Sequence, residues 1–431
     1  MSAVKISDWL TVASQPDRET LAAVARQGFA AVINNRPDGE DTSQLDNASE
    51  RALLGQAGLA YSFIPVTGTT ITAADIQAFQ QATSGAKGPV YAHCRSGTRS
   101  LTLHVLGEVL DGRMKPGEVA AFGRSHGFDL SGAVDWLARQ AALVPQVTGF
   151  HEPRTGSIQY VVSDPGTRRC AIIDPVYDFD EKSGATATHQ ADQILAHVAR
   201  EGLTVEWILD THPHADHFSA ASYLKEKTGA PVGIGRHVTA VQRLWQTIYN
   251  WPALRTDASP WERLFDDGDG FRIGDLEGRV MFSPGHTLAS VTYVVGDAAF
   301  VHDTVFMPDS GTARADFPGG SASALWRSIQ AILALPDQTR LYTGHDYEPG
   351  GRAPKWESTV AEQKRANSHL AGMTEESFVA LRQARDHTLP MPKLILHALQ
   401  VNIRGGRLPD LEANGRRYLK FPLDGLGAAV W

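Results

Sequence analysis

Cysteine is scarce in this chain. Only Cys94 and Cys170 occur among 431 residues, which leaves little room for a disulfide framework and favours a reducing cytoplasm as the location. The first residues lack the basic start and apolar core of a secretory signal. No apolar run approaches the roughly 20 residues that cross a bilayer. We therefore expect a cytoplasmic protein with no membrane partner.

Positive charge is also in short supply, because 40 Lys and Arg residues stand against 48 Asp and Glu, for a formal net charge of -8. A nucleic acid or an anionic membrane would favour a basic surface, so neither is an expected partner. Hydrophobic residues make up 42% of the chain and charged residues 20%, as in ordinary globular proteins. The length is enough for two or three domains with a hydrophobic core in each.

The first third of the chain alternates helices and strands. Helical spacing predicts helices over residues 17–28, 73–83 and 100–110, and the apolar run 30–34 predicts a buried strand. This alternation is typical of an α/β domain with a parallel sheet.

Residues 145–156 have the Pro, Gly and polar content of a boundary, and we predict domains of residues 1–144 and 145–431. The second half is richer in β pattern. Residues 157–162 and 170–174 read as paired strands around the turn 164–166. Glycines at 268–270 and 274–275 indicate hairpin turns. The sequence therefore predicts a mixed α/β second domain.

Four side chains that can bind metal lie within six residues: His212, His214, Asp216 and His217. They follow the apolar run 205–210 and precede a segment, 218–227, for which we predict a helix. The carboxyl end of a strand is where open α/β sheets bind ligands. Without an ion these groups would desolvate and repel one another, and His and Asp are favoured ligands of catalytic zinc or iron. The stretch predicts a metal site.

Three isolated residues extend this pattern. His286, Asp303 and His345 each follow an apolar run at a strand-to-turn junction. A single strand-end His or Asp is a common cap and carries little weight alone. Their shared position at strand ends, together with the first cluster, favours a role for all three as metal ligands.

The order of these motifs, T-H-x-H-x-D-H, P-G-H-T, a strand-end Asp and G-H-D, resembles the metallo-β-lactamase fold superfamily over about residues 157–404. The resemblance implies an αββα sandwich that brings these loops together at one edge. Segments 311–317 and 389–392, with Asn402, look most like the persulfide dioxygenases. His302 stands where the superfamily usually has a small Gly, and we interpret it as a packing residue rather than a donor to a metal ligand.

The persulfide dioxygenase resemblance implies one Fe(II) held by His212, His286 and Asp303. Two imidazoles and one carboxylate on one face leave open positions, as in non-haem Fe(II) oxygenases. The implied reaction converts glutathione persulfide, O₂ and water into glutathione and sulfite. Arg314 is the expected contact of a glutathione carboxylate, and Asn402 is the second expected substrate-binding residue.

A second interpretation uses every ligand. Two zinc ions could share the site, with His212, His214 and His286 on one, Asp216, His217 and His345 on the other, and Asp303 between them. Such a site hydrolyses a thioester in enzymes of the glyoxalase II type. Spacing alone does not decide, because the dioxygenases keep the same extra residues. His214, Asp216, His217 and His345 are therefore either polar surroundings of one iron or ligands of a second metal.

The first domain contains a short cysteine loop, Cys94-Arg95-Ser96-Gly97-Thr98-Arg99. Its surroundings resemble a dual-specificity-phosphatase-like domain, but those phosphatases have five residues between Cys and Arg. The four residues here match the rhodaneses, which carry a sulfane sulfur on the cysteine. A helix N-terminus favours the nucleophilic thiolate, so we predict Cys94 as the nucleophile with Arg95 and Arg99 assisting. Cys170 has no such loop, and we interpret it as structural.

A phosphatase-like domain followed by a dioxygenase-like domain resembles the bacterial β-lactamase hydrolase-like proteins over nearly the whole chain. The resemblance implies a bifunctional sulfide-detoxification enzyme that acts on glutathione persulfide, thiosulfate and O₂. We also expect a homo-oligomer, such as a dimer. The alternative is a zinc thioester hydrolase with a phosphatase-like regulatory domain.

Overall fold

A computed structural model describes residues 3–42, 44–68, 70–142 and 144–426. The chain divides into two compact units, Met1–Ala141 and Ala142–Trp431. Among the described residues, no helix combines the length and apolar character that crossing a membrane requires.

The first unit is built around a five-stranded sheet in the order β1-β2-β5-β3-β4, parallel except for the β1–β2 pair. Its strands are β1 Val4–Lys5, β2 Leu10–Ala13, β3 Ala31–Asn34, β4 Ala60–Phe63 and β5 Val90–His93. Its helices are α1 Arg18–Val24, α2 Asn47–Gln56, α3 Ala73–Ser84, α4 Thr98–Leu110, α5 Val119–Ser125 and α6 Ser131–Ala142, with 3-10 turns at Ala25–Gln27 and Pro116–Glu118.

Alternate residues of the central strands enter two separate cores. Val12 and Ile33 pack on one face of the sheet, and Val32 and Tyr91 pack on the other. A strand buried on both faces is the signature of a parallel sheet covered by helices. The predicted α/β fold of this domain is confirmed.

The second unit contains fifteen strands and seven α-helices within the described residues. The strands are β6 Gln146–Glu152, β7 Ser157–Ser163, β8 Arg169–Ile173, β9 Val176–Asp180, β10 Ala185–Ala187, β11 Thr204–Leu209, β12 Phe218–Ser219, β13 Val232–Gly235, β14 Arg263–Phe265, β15 Gly270–Ile273, β16 Leu276–Phe282, β17 Val291–Val295, β18 Ala298–His302, β19 Arg340–Thr343 and β20 Glu357–Thr359. The helices are α7 His189–Arg200, α8 Ala221–Thr228, α9 Val238–Ile248, α10 Ala322–Leu333, α11 Val360–Ala366, α12 Glu375–Asp386 and α13 Ile395–Asn402, with a 3-10 turn at Pro349–Gly351.

Two six-stranded sheets, β14-β13-β11-β8-β7-β6 and β15-β16-β17-β18-β19-β20, form the centre of this unit. Tyr160 and Ile173 of the first sheet meet Tyr293 and Phe300 of the second in a shared apolar core. Helices cover the outer face of each sheet, α7, α8, α9 and α13 on the first and α10 to α12 on the second. The predicted αββα sandwich is confirmed.

Three local predictions were wrong. Residues 146–152, interpreted as part of a linker, form the edge strand β6, which pairs with β7 along its whole length. The helix predicted over 218–227 begins at Ala221, because Phe218 and Ser219 pair instead with β9. The turn at 268–270 joins strands of different sheets, whereas Gly274 and Asp275 form the predicted hairpin.

Candidate metal centre and cysteine loop

Four strands of the sandwich end at the same edge and deliver the candidate ligands to it. His212 to His217 follow β11, His286 follows β16, Asp303 follows β18 and His345 follows β19. Asp303 lies at the centre of the group. Its Oδ2 is 3.7 Å from His212 Nε2 and 3.4 Å from His286 Nε2, and its Oδ1 is 3.4 Å from His345 Nε2.

Close packing of the strand ends sets this geometry. A Cβ on Gly344, next to His345, would overlap Asp303 Oδ1. A glycine is therefore required for the loop that carries His345 to approach the carboxylate. Asp303 itself follows His302, whose φ of 38° is in the left-handed region. That conformation is strained for most residues other than glycine, which accounts for the glycine that the superfamily usually has there.

Hydrogen bonds orient the rings of His212 and His286. His286 Nδ1 is 2.9 Å from the Arg314 carbonyl, to which it must donate. His212 Nδ1 is 3.1 Å from Thr211 Oγ1, whose own hydrogen goes to Asp174 Oδ2 at 2.7 Å. Both rings therefore carry their hydrogen on Nδ1, and both Nε2 lone pairs face Asp303. Metal-ligating histidines have this kind of support.

Charge also favours these three residues as ligands. Burial lowers the pKa of His212 and of His286, so both imidazoles are neutral, as a metal ligand must be. Burial would raise the pKa of Asp303, but His345 and His286 outweigh it and hold that pKa below its ordinary value. The set combines two neutral imidazoles with one carboxylate.

The other members of the cluster have partners of their own. His214 Nε2 is 3.0 Å from Asp174 Oδ1. Burial opposes protonation of this ring, but Asp174 outweighs it and raises the His214 pKa to about 9. His345 Nε2 lies between Asp303 and Asp216, and these carboxylates overcome burial to raise its pKa to about 10. His217 Nδ1 is 2.9 Å from Asp216 Oδ2.

The residues fit a metal ion. Donor atoms of His212, His214 and Asp303 lie within 4.8 Å of one another, as do those of Asp216, Asp303 and His345 and those of His214, Asp216 and His217. Among the described residues, the buried Nε2 atoms of His212 and His217 have no hydrogen-bond partner. A buried, unpaired imidazole nitrogen is costly unless it binds an ion. The structure therefore brings together all seven candidates that the sequence singled out.

His302 is not in the ligand group. Its Nε2 lies 3.2 Å from Ser283 Oγ and 3.1 Å from Thr304 Oγ1, and burial lowers its pKa to about 3. The neutral ring packs 5.2 Å from the His212 ring, measured between centroids. These contacts agree with the packing role predicted for it.

The cysteine loop of the first unit joins β5 to α4. Cys94 is buried, and its Sγ accepts the Gly97 N–H at 3.1 Å. Gly97 has a φ of 91°, which glycine adopts without strain. The two arginines differ, because Arg95 is exposed whereas Arg99 Nη1 is 2.7 Å from Glu40 Oε1. Glu40 also accepts from Arg36 at 3.1 Å, so it offsets part of the positive charge predicted beside Cys94.

Comparison with known proteins identifies both units. Residues 4–111 match the family described as "Beta-lactamase hydrolase-like protein, phosphatase-like domain", and residues 154–345 match the metallo-beta-lactamase superfamily. A Beta-lactamase hydrolase-like protein of Xylella fastidiosa is 68% identical over 431 residues, the whole of each chain. The chain belongs to the β-lactamase hydrolase-like proteins.

More distant relatives of this β-lactamase hydrolase-like protein match its second unit. Glyoxylase B2 of Dictyostelium discoideum is 44% identical over 64% of this chain and 96% of its own. The bovine mitochondrial persulfide dioxygenase ETHE1 is 29% identical over 59% of this chain and 86% of its own. The crystal structure of ETHE1 from Myxococcus xanthus superimposes with a TM-score of 0.50 at 31% identity, covering 61% of this chain and all of that one.

A cavity of about 890 Å³ opens beside the metal centre of the β-lactamase hydrolase-like protein. His286, Asp303 and His345 line it, together with the aromatic residues Phe306, Phe317 and Tyr347. Arg314 lines it as predicted, but its guanidinium already binds Asp316 through Nε at 2.6 Å and Nη2 at 2.8 Å, and its Nη1 donates to the Pro390 carbonyl at 2.6 Å.

Asn402 makes buried hydrogen bonds that the sequence did not predict. Its Nδ2 donates to the carbonyls of His214 and His217 at 2.8 and 2.7 Å, and its Oδ1 accepts the Ser219 N–H at 2.8 Å. It is buried and is absent from the cavity wall. Asn402 thus braces the metal-binding loop, and its predicted contact with a substrate stays a prediction.

Sequence reasoning missed Asp174, which directly follows β8. It accepts from Thr211 through both backbone and side chain and pairs with His214. Its position at a strand end, like that of Asp303, was the available signal. Through these contacts Asp174 supports the loop that carries His212 and His214, as carboxylates do around metal-binding histidines.

Replacing Asn402 with Ala is expected to lower the free energy of unfolding by about 3 kcal/mol, because two buried carbonyls and one N–H lose their partner. Metal affinity should fall roughly 10- to 100-fold as the loop loosens. Thermal unfolding and metal titration measure both effects. Asn414→Ala, at an exposed position, is the control, and equal behaviour of the two variants would contradict the bracing role.

Proposed function

We propose that this protein is a persulfide dioxygenase with a sulfur-transferring cysteine in its first domain. One molecule each of glutathione persulfide, O₂ and water would yield glutathione and sulfite. The observation that carries the proposal is the convergence of two neutral Nε2 atoms, from His212 and His286, on the Asp303 carboxylate. Two histidines and one carboxylate form the ligand set of non-haem Fe(II) oxygenases.

Fe(II), when bound by these three residues, would supply the redox chemistry that transfers oxygen to sulfur. The chain supplies the surroundings. The Arg314 carbonyl and the Thr211 hydroxyl fix the two rings, and Asp174 pairs with His214. Phe306 and Phe317 place apolar surface in the cavity beside the ligands. A cavity of about 890 Å³ is of a size that suits a tripeptide thiol.

Relatives of lower sequence identity support the proposal. A persulfide dioxygenase of cattle and a bacterial ETHE1 structure both match the second unit. In the first unit, Cys94 Sγ accepts the Gly97 N–H in the loop that leads into α4. Cys94 would carry the sulfane sulfur as a persulfide, with Arg95 free to bind an anionic donor such as thiosulfate. A cytoplasmic location and a homo-oligomeric state, such as a dimer, are part of the same proposal.

A second candidate function is thioester hydrolysis by two zinc ions. It is favoured by the group around Asp216, where His345 Nε2 is 3.5 Å from Asp216 Oδ2 and 3.4 Å from Asp303 Oδ1. The Dictyostelium glyoxylase B2 is also more similar in sequence than the bovine dioxygenase. This candidate requires two metal ions per chain and activity without oxygen.

Oxygen uptake with glutathione persulfide, on protein whose metal content has been quantified, tests the proposal. We expect uptake with one sulfite formed per O₂, proportional to iron up to one ion per chain. Hydrolysis of lactoylglutathione should be absent from the iron-loaded protein. No oxygen consumption by that protein, or hydrolysis that scales with two zinc ions per chain, would overturn the dioxygenase assignment.

A further inference from the structure

Four arginines line the cavity beside the metal centre: Arg154, Arg314, Arg382 and Arg385. Arg314 and Arg382 are held by several hydrogen bonds within the protein. Arg314 binds Asp316 and the carbonyls of Leu389 and Pro390. Arg382 is 1% exposed and binds Asp386 Oδ1 through Nε and Nη2 at 3.0 and 2.8 Å. Its Nη1 also donates to the Thr312 carbonyl at 3.0 Å. These two guanidinium groups hold the wall together.

Arg385 differs from both. It is exposed in the last turn of α12 and lines the same cavity. Within the part of the chain that the structure describes, no ion pair or hydrogen bond is assigned to its guanidinium. Lys182 is another cation of the cavity wall whose side chain has no ion pair or hydrogen bond assigned within the described residues. It lies in the turn between β9 and β10. Lys393 pairs with Glu181, and Arg154 pairs with Asp180.

The backbone that carries Arg385 is well anchored. Arg382, three residues earlier on α12, forms a buried ion pair with Asp386, and Asp386 Oδ2 accepts the Ala315 N–H at 2.9 Å. The helix is thereby fixed to the segment that carries Arg314. A guanidinium on a fixed helix can bind a carboxylate with two parallel hydrogen bonds, which an ammonium at a turn tip cannot reproduce.

We propose that Arg385, and not Arg314, binds a carboxylate of the substrate's peptide portion. This inference rests on the proposed function and specifies its substrate class: persulfides of acidic thiol peptides such as glutathione, in preference to persulfides without a carboxylate. Arg314 positions residues 389–390 of the cavity wall. Arg385 contributes to binding and leaves the chemistry at the metal unchanged.

Direct binding tests the proposal without any turnover. Glutathione is titrated calorimetrically into the full-length, metal-loaded protein and into Arg385→Gln. We expect about tenfold weaker binding in the variant, the loss of one partly exposed charge-assisted pair. Arg243→Gln, at an exposed arginine of α9 outside the cavity, is the matched control and should bind like the unmodified protein. Equal affinity in all three proteins overturns the proposal.

Kinetics separate recognition from a purely structural effect, since a cation in the last helical turn also stabilises a helix. The KM of the unmodified protein should rise about tenfold when glutathione persulfide is replaced by the persulfide of glutathione diethyl ester, which has no free carboxylate. Arg385→Gln should show the higher KM with both substrates and an unchanged kcat. A variant that still discriminates between them contradicts the assignment. If the unmodified protein consumes no oxygen, the proposed function fails, and the glutathione titration still decides the role of Arg385.

Discussion

Replacing Asp303 with Asn is expected to remove most bound metal and to lower oxygen uptake with glutathione persulfide at least about a thousandfold, equivalent to about 4 kcal/mol of transition-state stabilisation. Asp303 contacts three imidazoles of the site, at 3.4 to 3.7 Å. The asparagine side chain has nearly the same shape as that of aspartate but carries no charge. The buried, neutral His212 and His286 would then face a cation without a compensating anion.

Metal analysis and oxygen uptake are measured on the same preparation of Asp303→Asn, with circular dichroism to show that the sandwich is folded. His217→Gln is the informative companion, because His217 belongs to the second metal group but not to the proposed iron ligands. The dioxygenase assignment expects this variant to keep its iron and to retain uptake within about 100-fold. Normal iron content and uptake in Asp303→Asn would refute the ligand assignment.

Replacing Cys94 with Ser is expected to abolish sulfur transfer from thiosulfate or glutathione persulfide while oxygen uptake continues at its normal rate. A serine hydroxyl can still accept the Gly97 N–H, so the loop should keep its shape. It does not ionise near neutral pH and cannot hold a sulfane sulfur as a persulfide. Formation of thiocyanate from thiosulfate and cyanide measures the transfer.

Cys170→Ala is the matched control, because Cys170 is the chain's other cysteine and is buried in the apolar core of the second unit. Burial raises its pKa to about 12, which leaves the thiol uncharged and unreactive. This variant should transfer sulfur at the normal rate. Transfer that survives in Cys94→Ser, or is lost in Cys170→Ala, would contradict the role of the cysteine loop.

Much of the metal centre could be predicted from sequence because its residues occupy equivalent positions. His212, His286, Asp303 and His345 each lie one to four residues after the end of a strand, and these strand ends meet at one edge of the sandwich. Spacing along the chain therefore carries information about position in space. The same reasoning could have included Asp174, which ends β8 in the same way.

Contacts between segments that are far apart in the sequence could not be predicted in this way. The Asn402 amide reaches the backbone of His214 and His217, and the carbonyls that hold Arg314 belong to Leu389 and Pro390. Hydrogen bonds of this kind depend on how helices and loops cross the edge of the sandwich. No periodicity in the sequence encodes that crossing, so the sequence could not decide whether Asn402 braces a loop or contacts a ligand.

The sequence by itself determined the two domains' fold classes, the cysteine loop and the set of side chains around the metal, because strand and helix periodicity and motif spacing are local properties. Tertiary structure decided which nitrogens of His212 and His286 face Asp303, which cavity arginine has no partner among the described residues, and which carboxylates are already paired. The physical reason is that a ring's orientation and a charge's availability depend on its hydrogen-bond partners. In this protein those partners, such as Asp174 for His214 and Glu40 for Arg99, come from other loops.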